Sequence, residues 1–386
     1  MNIIVFSTAD WDAKYKTNKQ HVSMEFAKRG HTILYVESLG LRRPHLTAKT
    51  DLLRIFRRLF RCYPFAREVD EGVFACSPLQ IPFLRRTKII NSLNWALQKL
   101  FVIGAQRRLG FSHFLLWSYH PYVHSSLISN AFYTVYHCVD DLSTVPGINA
   151  DEFKKQEAWF AEQGDIIFVT ATNLVDAFSY STTDVEYLPN VVDFEHFSKA
   201  YAIRDKRKRA PGERAKIGFH GALSQFKLNF DLWFDLITLC PEWDFIIVGD
   251  QIEGQSDSKL DKIEALPNVR MLGYQTYDEL PAYMAEIDVA FLPFKINTYT
   301  DSMSPMKFLE YIAAGVPVVT TSAKFAGDTK VPIAIGDDTK TLQQKIISQL
   351  EGGHIPLAQA QKHIGDDTWS RRTDKMLQLC QISENF

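Results

Sequence analysis

The 386-residue sequence contains no apolar run approaching the ~20 residues of a bilayer-spanning helix. No basic, apolar leader opens it, so a secretory signal is not expected. Its five cysteines, Cys62, Cys76, Cys138, Cys240 and Cys380, are scattered and form no C-x-x-C pair. A disulfide framework and a structural zinc site are therefore not expected, and a reducing, cytoplasmic compartment is. No G-x-G-x-x-G follows an apolar strand, and there is no Walker A sequence and no H-E-x-x-H. A dinucleotide oxidoreductase, a P-loop NTPase and a zinc peptidase are accordingly not indicated, and no metal site is expected. Internal repeats and low-complexity tracts are also missing. What remains, 46% hydrophobic and 23% charged residues, is ordinary for a globular chain of two or three domains.

The formal net charge of −2 conceals a division. Residues 1–130 hold 19 Lys+Arg against 8 Asp+Glu, or +11, and the rest hold 24 against 37, or −13. One end is basic and the other acidic, which bears on partners rather than on fold.

Ile3–Phe6 reads as a buried strand, His21–Arg29 as a helix closed by Gly30, and Thr32–Val36 as a second strand, together a βαβ unit. Phe114–Trp117, Thr134–Cys138 and Ile166–Thr170 are further short apolar runs of the kind found in parallel sheets. Residues 204–216, RDKRKRAPGERAK, read as a loop or domain joint. The pattern then restarts. Strands are predicted at Lys216–Phe219, Asp244–Val248, Val269–Leu272, Val289–Leu292 and Val318–Thr321. Helices are predicted at Asp231–Thr238, Tyr277–Met284 and Pro305–Ala314. The fold class is α/β, with two successive doubly wound Rossmann-like blocks.

The densest motif is residues 297–322. Ser304 suits a helix N-cap, Pro305 the first helical position, and Gly315-Val316-Pro317 a stop. Backbone N–H groups near Met306 and the helix dipole suit a phosphate. Lys307 and Glu310 share a helix face. That pair offers a cation for a diphosphate and a carboxylate for ribose hydroxyls; a capped helix with a surface ion pair is the plainer reading.

The string Ser304-Pro305-Met306-Lys307-Phe308-Leu309-Glu310-Tyr311-Ile312-Ala313-Ala314-Gly315-Val316-Pro317-Val318-Val319 resembles the donor-site signature of GT-B glycosyltransferases, especially the bacterial family 4-like (group 1) enzymes. Leu188-Pro189-Asn190-Val191-Val192-Asp193 resembles their interdomain hinge segment. Asn268-Val269-Arg270-Met271-Leu272-Gly273 resembles the strand and loop that pack against the nucleobase. Taken together these cover most of residues 160–325. The resemblance implies two domains facing a central cleft: an acceptor domain, 1–195, with C-terminal helices of about 366–386 crossing back to it, and a donor domain, 196–365. It further implies that Glu310 binds the ribose hydroxyls, that Gly273 and Tyr274 lie at the nucleobase, and that Lys227 reaches the diphosphate. Ser304 and Lys307 become phosphate or sugar neighbours. Ser302 stands where the family's first glutamate normally touches the donor sugar, and Ala222 where an arginine is usual. The Met306-Lys307 pair also resembles the glucuronosyltransferase of xanthan assembly, which inverts.

In the first block, Tyr136-His137-Cys138-Val139-Asp140-Asp141 leaves a strand for a loop. Paired acids at a strand end are plausible general bases, since a neighbouring carboxylate raises a carboxyl pKa; equally, one Asp could cap the next turn. The family resemblance favours this loop, through Asp140, Asp141 or His137. His120, at another strand exit, and His21, in the first helix, are further candidates for contacts to acceptor or donor in the cleft. Asp10-Trp11-Asp12 spells a D-x-D, the metal motif of a different glycosyltransferase fold, and is taken as coincidence. Thr50–Arg61 places Leu52, Leu53, Phe56, Leu59 and Phe60 on one helical face and Arg54, Arg57, Arg58 and Arg61 on the other. This pattern suits a helix lying on an anionic membrane, or a core-packed helix with a solvated face. Nucleic acid is not expected, because no binding motif accompanies the charge.

The expected function is transfer of a sugar from a nucleoside-diphosphate sugar, UDP- or GDP-linked, to a lipid-linked or polysaccharide acceptor in bacterial surface or exopolysaccharide synthesis. No metal or other cofactor is expected, and the expected location is cytoplasmic, peripheral on the inner face of the cell membrane. A nucleotide-sugar 2-epimerase of the same fold is one alternative, and a non-catalytic sugar-nucleotide-binding or membrane scaffold protein is the other.

Overall fold

The computed structural model describes residues 1–39, 61, 64–81, 87–206, 212–251 and 257–381. The chain divides into two compact units, one of Met1–Pro189 with Thr373–Phe386 and one of Asn190–Arg372.

In the first unit the sheet runs Arg67–Asp70, Val73–Cys76, Thr32–Val36, Asn2–Phe6, Phe114–Ser118, Tyr133–Cys138, Ile166–Val169 and Asp184–Tyr187. Every pairing is parallel except that of the first two strands, a hairpin turning at Gly72 with φ +72°. The inner strands are apolar along their length because helices cover both faces; Phe114–Ser118 is buried at every position. Asn2–Phe6 lies between Thr32–Val36 and Phe114–Ser118, which is where the winding reverses. In such sheets the strand C-terminal ends beside the reversal form the ligand crevice.

The second unit's sheet is wholly parallel: Val269–Met271, Asp244–Val248, Lys216–His220, Val289–Leu292, Val318–Thr320 and Ala334–Ile335. Its reversal lies between Lys216–His220 and Val289–Leu292. The loops leaving those two strands are tied together. Asn229 N–H donates to the Pro293 carbonyl at 2.7 Å, and Lys295 N–H to that of Lys227 at 2.8 Å.

Three sequence-based expectations need correction. The division falls after Pro189, not after residue 195, because Val192 N–H donates to the Asp367 carbonyl at 3.1 Å and Val192 bridges in parallel to Thr368. Residues 190–195 are thereby stitched into the second unit. The return comes later than residue 366: the helix Trp369–Leu379 spans the division after Arg372, and its Asp374 pairs with Arg29 of the first unit at 2.6 Å. Residues 204–206 are not part of a joint. They close the helix Phe194–Lys206, where Arg204 donates to the carbonyls of Met284 and Ala314. Of the basic amphipathic segment 50–61, all but Arg61 lies outside the described residues.

Candidate nucleotide site and the strand ends of the first unit

In the second unit three strand exits converge. Gly221 N–H donates to the Val248 carbonyl and Gly249 N–H to that of Gly273, each at 2.8 Å. Asp250 accepts the Tyr274 backbone N–H at 3.0 Å. Gly273 and Tyr274, placed at the nucleobase by resemblance, are thus held to the strand end at Asp250. Gly273 has φ +64°, a conformation that glycine adopts without strain.

The helix expected over Pro305–Ala314 forms over Lys307–Ala313, with Met306 as its first flanking residue. Ser304 is therefore not its N-cap. Its Oγ instead accepts the Asn190 backbone N–H at 3.1 Å, and its carbonyl accepts the Asn190 side-chain amide at 2.7 Å. Two motifs 114 residues apart in sequence meet through these bonds. Ser302 is buried, and its hydroxyl donates to the Tyr299 carbonyl at 2.8 Å.

Lys307 and Glu310 both address the end of Lys216–His220. A Cβ on Gly221, where φ is +125°, would lie 2.2 Å from Lys307 Cε and 2.7 Å from its Nζ. Glycine is what lets the lysine lie across the backbone there. Glu310 Oε2 lies 2.8 Å from His220 Nε2, and both residues are buried. A carboxylate oxygen only accepts, so Nε2 carries the hydrogen. Burial pushes the His220 pKa down against the pull of Glu310, and Lys307 adds to the lowering; the imidazole is neutral. Lys227, on the loop after the strand, holds its ammonium over the Phe226 and Tyr299 rings, 5.1 and 5.4 Å from their centroids.

In the first unit His137 is fully buried. Its ring stacks on Tyr119 at 4.9 Å and meets Trp117 edge-on. His120 is also fully buried; its Nδ1 accepts the Tyr122 N–H at 3.2 Å, its Nε2 has no hydrogen-bond partner, and burial lowers its pKa to about 3. His21 is buried in the helix Asn18–Lys28. Asp141 caps the turn Leu142–Thr144, its Oδ1 accepting the Ser143 N–H at 3.0 Å and the Ser143 hydroxyl at 2.5 Å. The carboxyl that burial raises in this neighbourhood, to about 7, is Glu157, which accepts the Tyr136 hydroxyl at 2.5 Å and feels the charge of Asp141. Asp12 of the D-x-D forms an ion pair with Arg61. Among the described residues no three His, Cys, Asp or Glu side chains are grouped so as to hold a metal ion.

Sequence reading missed His220 and Glu157. His220 stands two residues before Ala222 and seven before Lys227, but its partner is 90 residues away, so no short motif joins them. Glu157 lies in the middle of the helix Ala150–Ala161, where nothing local distinguishes it from a solvated carboxylate.

Comparison with known proteins gives these strand ends a context. Residues 214–351 match the family of glycosyl transferases, group 1. A stretch of 139 residues is 33% identical to TuaH of Bacillus subtilis (strain 168), assigned to teichuronic acid biosynthesis as a glycosyltransferase; it covers 36% of this chain and 34% of that protein. The chain thus spans about a third of the length of that relative. Over 98% of both chains the structure resembles sucrose-phosphate synthase from Thermosynechococcus elongatus, with a TM-score of 0.72 at 13% identity. It resembles Anabaena HepE, solved with UDP-glucose, with a TM-score of 0.62 at 14% identity, over 98% of this chain and all of the other. The glycosyltransferase WaaG, involved in lipopolysaccharide biosynthesis, gives a TM-score of 0.61 at 12% identity, over 99% of this chain and all of the other. These likenesses show the fold, which is GT-B.

Proposed function

We propose, from the group 1 glycosyltransferase segment and the GT-B fold, that the chain moves a sugar from a nucleoside-diphosphate sugar to a lipid-linked or polysaccharide acceptor in cell-surface polysaccharide synthesis. The observation that carries this reading is the juxtaposition of Glu310 and Lys307 at the end of Lys216–His220, beside the reversal of the second sheet. A buried carboxylate suits a vicinal diol, and a nearby ammonium suits a diphosphate. UDP and GDP are the proposed nucleotides, and HepE, of the same fold, has been solved with UDP.

In this reading Glu310 accepts hydrogen bonds from the ribose hydroxyls. Lys307 and Lys227 stabilise the charge that builds on the diphosphate as the bond to the anomeric carbon breaks. Gly273 and Tyr274 lie beside the base, and Ser304 and Met306 beside the phosphates. Ser302, where the family has a glutamate, leaves the donor sugar without a carboxylate at that position. If the reaction inverts, Asp140 or Asp141 takes the proton of the acceptor hydroxyl as its oxygen attacks the anomeric carbon and the nucleoside diphosphate departs. The proposed reaction needs no metal ion.

Calorimetric titration with UDP, GDP and dTDP, followed by donor-hydrolysis assays, tests the reading. One of the three is expected to bind, and Glu310→Ala to weaken it about tenfold or more, as loss of a charged hydrogen-bond acceptor does. Absence of binding by all three, or unchanged binding in Glu310→Ala, rejects the donor site. Binding without hydrolysis or transfer would favour the scaffold alternative.

Association with an anionic membrane is proposed separately. On the helix Lys88–Leu109, Ile89, Leu93 and Leu100 expose 80%, 44% and 58% of their surface at helical spacing. These apolar residues belong to the part of the chain that carries the positive charge.

A further inference from the structure

We propose that His220 is a positioning residue of the nucleotide site: its Nε2–H holds the Glu310 carboxylate in the orientation that receives the ribose hydroxyls of a nucleoside diphosphate. The inference rests on the donor-site reading above and assigns a role to a residue outside it.

Four observations support it. The pair is short, 2.8 Å, and both partners are buried, so Glu310 would face a large desolvation penalty without a donor. The imidazole Nδ1 is buried with no hydrogen-bond partner, so Glu310 accounts for the ring's polar contact. The ring is itself oriented, because Tyr311 meets it edge-on at 4.8 Å and 76°. Finally, Lys307 crosses the backbone at Gly221, the residue next to His220, a path that a side chain at that position would block.

The choice of histidine follows from the chemistry. A lysine or arginine in this place would cancel the charge of Glu310 and compete with the ribose as a stronger donor. A neutral imidazole donates one hydrogen bond and leaves the carboxylate anionic, and burial keeps His220 in that neutral form. The adjacent residues His220 and Gly221 therefore divide the work, the first orienting the carboxylate and the second making room for the cation.

The test compares dissociation constants for UDP and 2′-deoxy-UDP, or for GDP and 2′-deoxy-GDP if guanine binds more tightly. The wild-type protein should prefer the ribonucleotide about tenfold, the scale of one hydrogen bond to a charged group. In His220→Phe, ribonucleotide affinity should fall to about the deoxynucleotide level, while deoxynucleotide affinity stays within about twofold. Two polar replacements guard against a variant that fails to fold. The Gln amide reaches the position of Nε2 and should retain the preference, whereas the shorter Asn amide should lose it. In a Glu310→Ala background, His220→Phe should have no further effect.

Equal weakening of both nucleotides, or a preference that survives in His220→Phe and His220→Asn, overturns the positioning role and leaves the donor site standing. If the wild-type protein binds neither UDP nor GDP, the donor-site reading fails and this inference with it.

Discussion

Tyr136 donates its hydroxyl hydrogen to Glu157 across 2.5 Å, and burial lifts that carboxyl from 4.5 to about 7. Between those values the folded protein keeps a proton that the unfolded chain releases, so stability falls as pH rises through this window. Glu157→Gln removes the titration while retaining an acceptor for Tyr136. Relative to the wild type it should therefore gain about 2 kcal/mol of stability between pH 5 and pH 8, less than the full 1.36 kcal/mol per pKa unit because the site is not dry. Urea unfolding at the two pH values measures this, and parallel pH dependence in the two proteins would contradict it. The Asp140–Asp141 pair was legible in sequence, and so was the possibility that one of them caps a turn. That a helical residue sixteen positions further on carries the raised carboxyl was not, because burial is set by what packs over a side chain.

The helix Lys307–Ala313 packs against Phe194–Lys206 and Leu357–Ile364. At its end Gly315 has φ +77°, and a Cβ there would lie 2.6 Å from the Tyr201 ring and 2.9 Å from the Ile355 carbonyl, which accepts the Tyr201 hydroxyl at 2.8 Å. At Gly221 the obstacle is only the flexible end of Lys307. The two alanine variants should therefore fail differently. Gly315→Ala should lose about 2–4 kcal/mol of stability, through backbone strain and a rigid clash. Gly221→Ala should lose about 1–2 kcal/mol from its φ alone, and its larger effect should be on nucleotide affinity as Lys307 is displaced. Denaturation midpoints and UDP titration of both variants check the contrast, and similar stability losses with unchanged binding would refute it. The elements themselves were largely legible: Thr32–Val36, Asp244–Val248 and Val289–Leu292 occur as read. Arg67–Asp70 was missed, because an edge strand of alternating half-buried and exposed residues with Val69 as its one apolar side chain lacks the apolar run that marks the inner strands.

For the whole molecule the relevant quantity is the division of charge, +11 over residues 1–130 and −13 over the remainder. Each basic residue near an anionic bilayer contributes roughly 1 kcal/mol, screened beyond about 10 Å at 0.1 M salt. Flotation with vesicles containing phosphatidylglycerol should therefore carry the protein at low salt and release it progressively as salt rises. Glu at positions 54, 57 and 58 should abolish binding, and Ala at Ile89 and Leu93 should weaken it without changing its salt dependence. Binding that persists in the Arg54→Glu, Arg57→Glu, Arg58→Glu protein would sink the membrane proposal.

By itself the sequence determined the α/β class and the two doubly wound blocks, because apolar runs, glycines and prolines report local backbone preference directly. Tertiary structure alone decided that Asn190, not a helix cap, holds Ser304, that the division falls six residues earlier than expected, and that His220 faces Glu310. Each of these depends on residues far apart in the chain being brought within hydrogen-bond distance by the sheet, a relation no local pattern encodes.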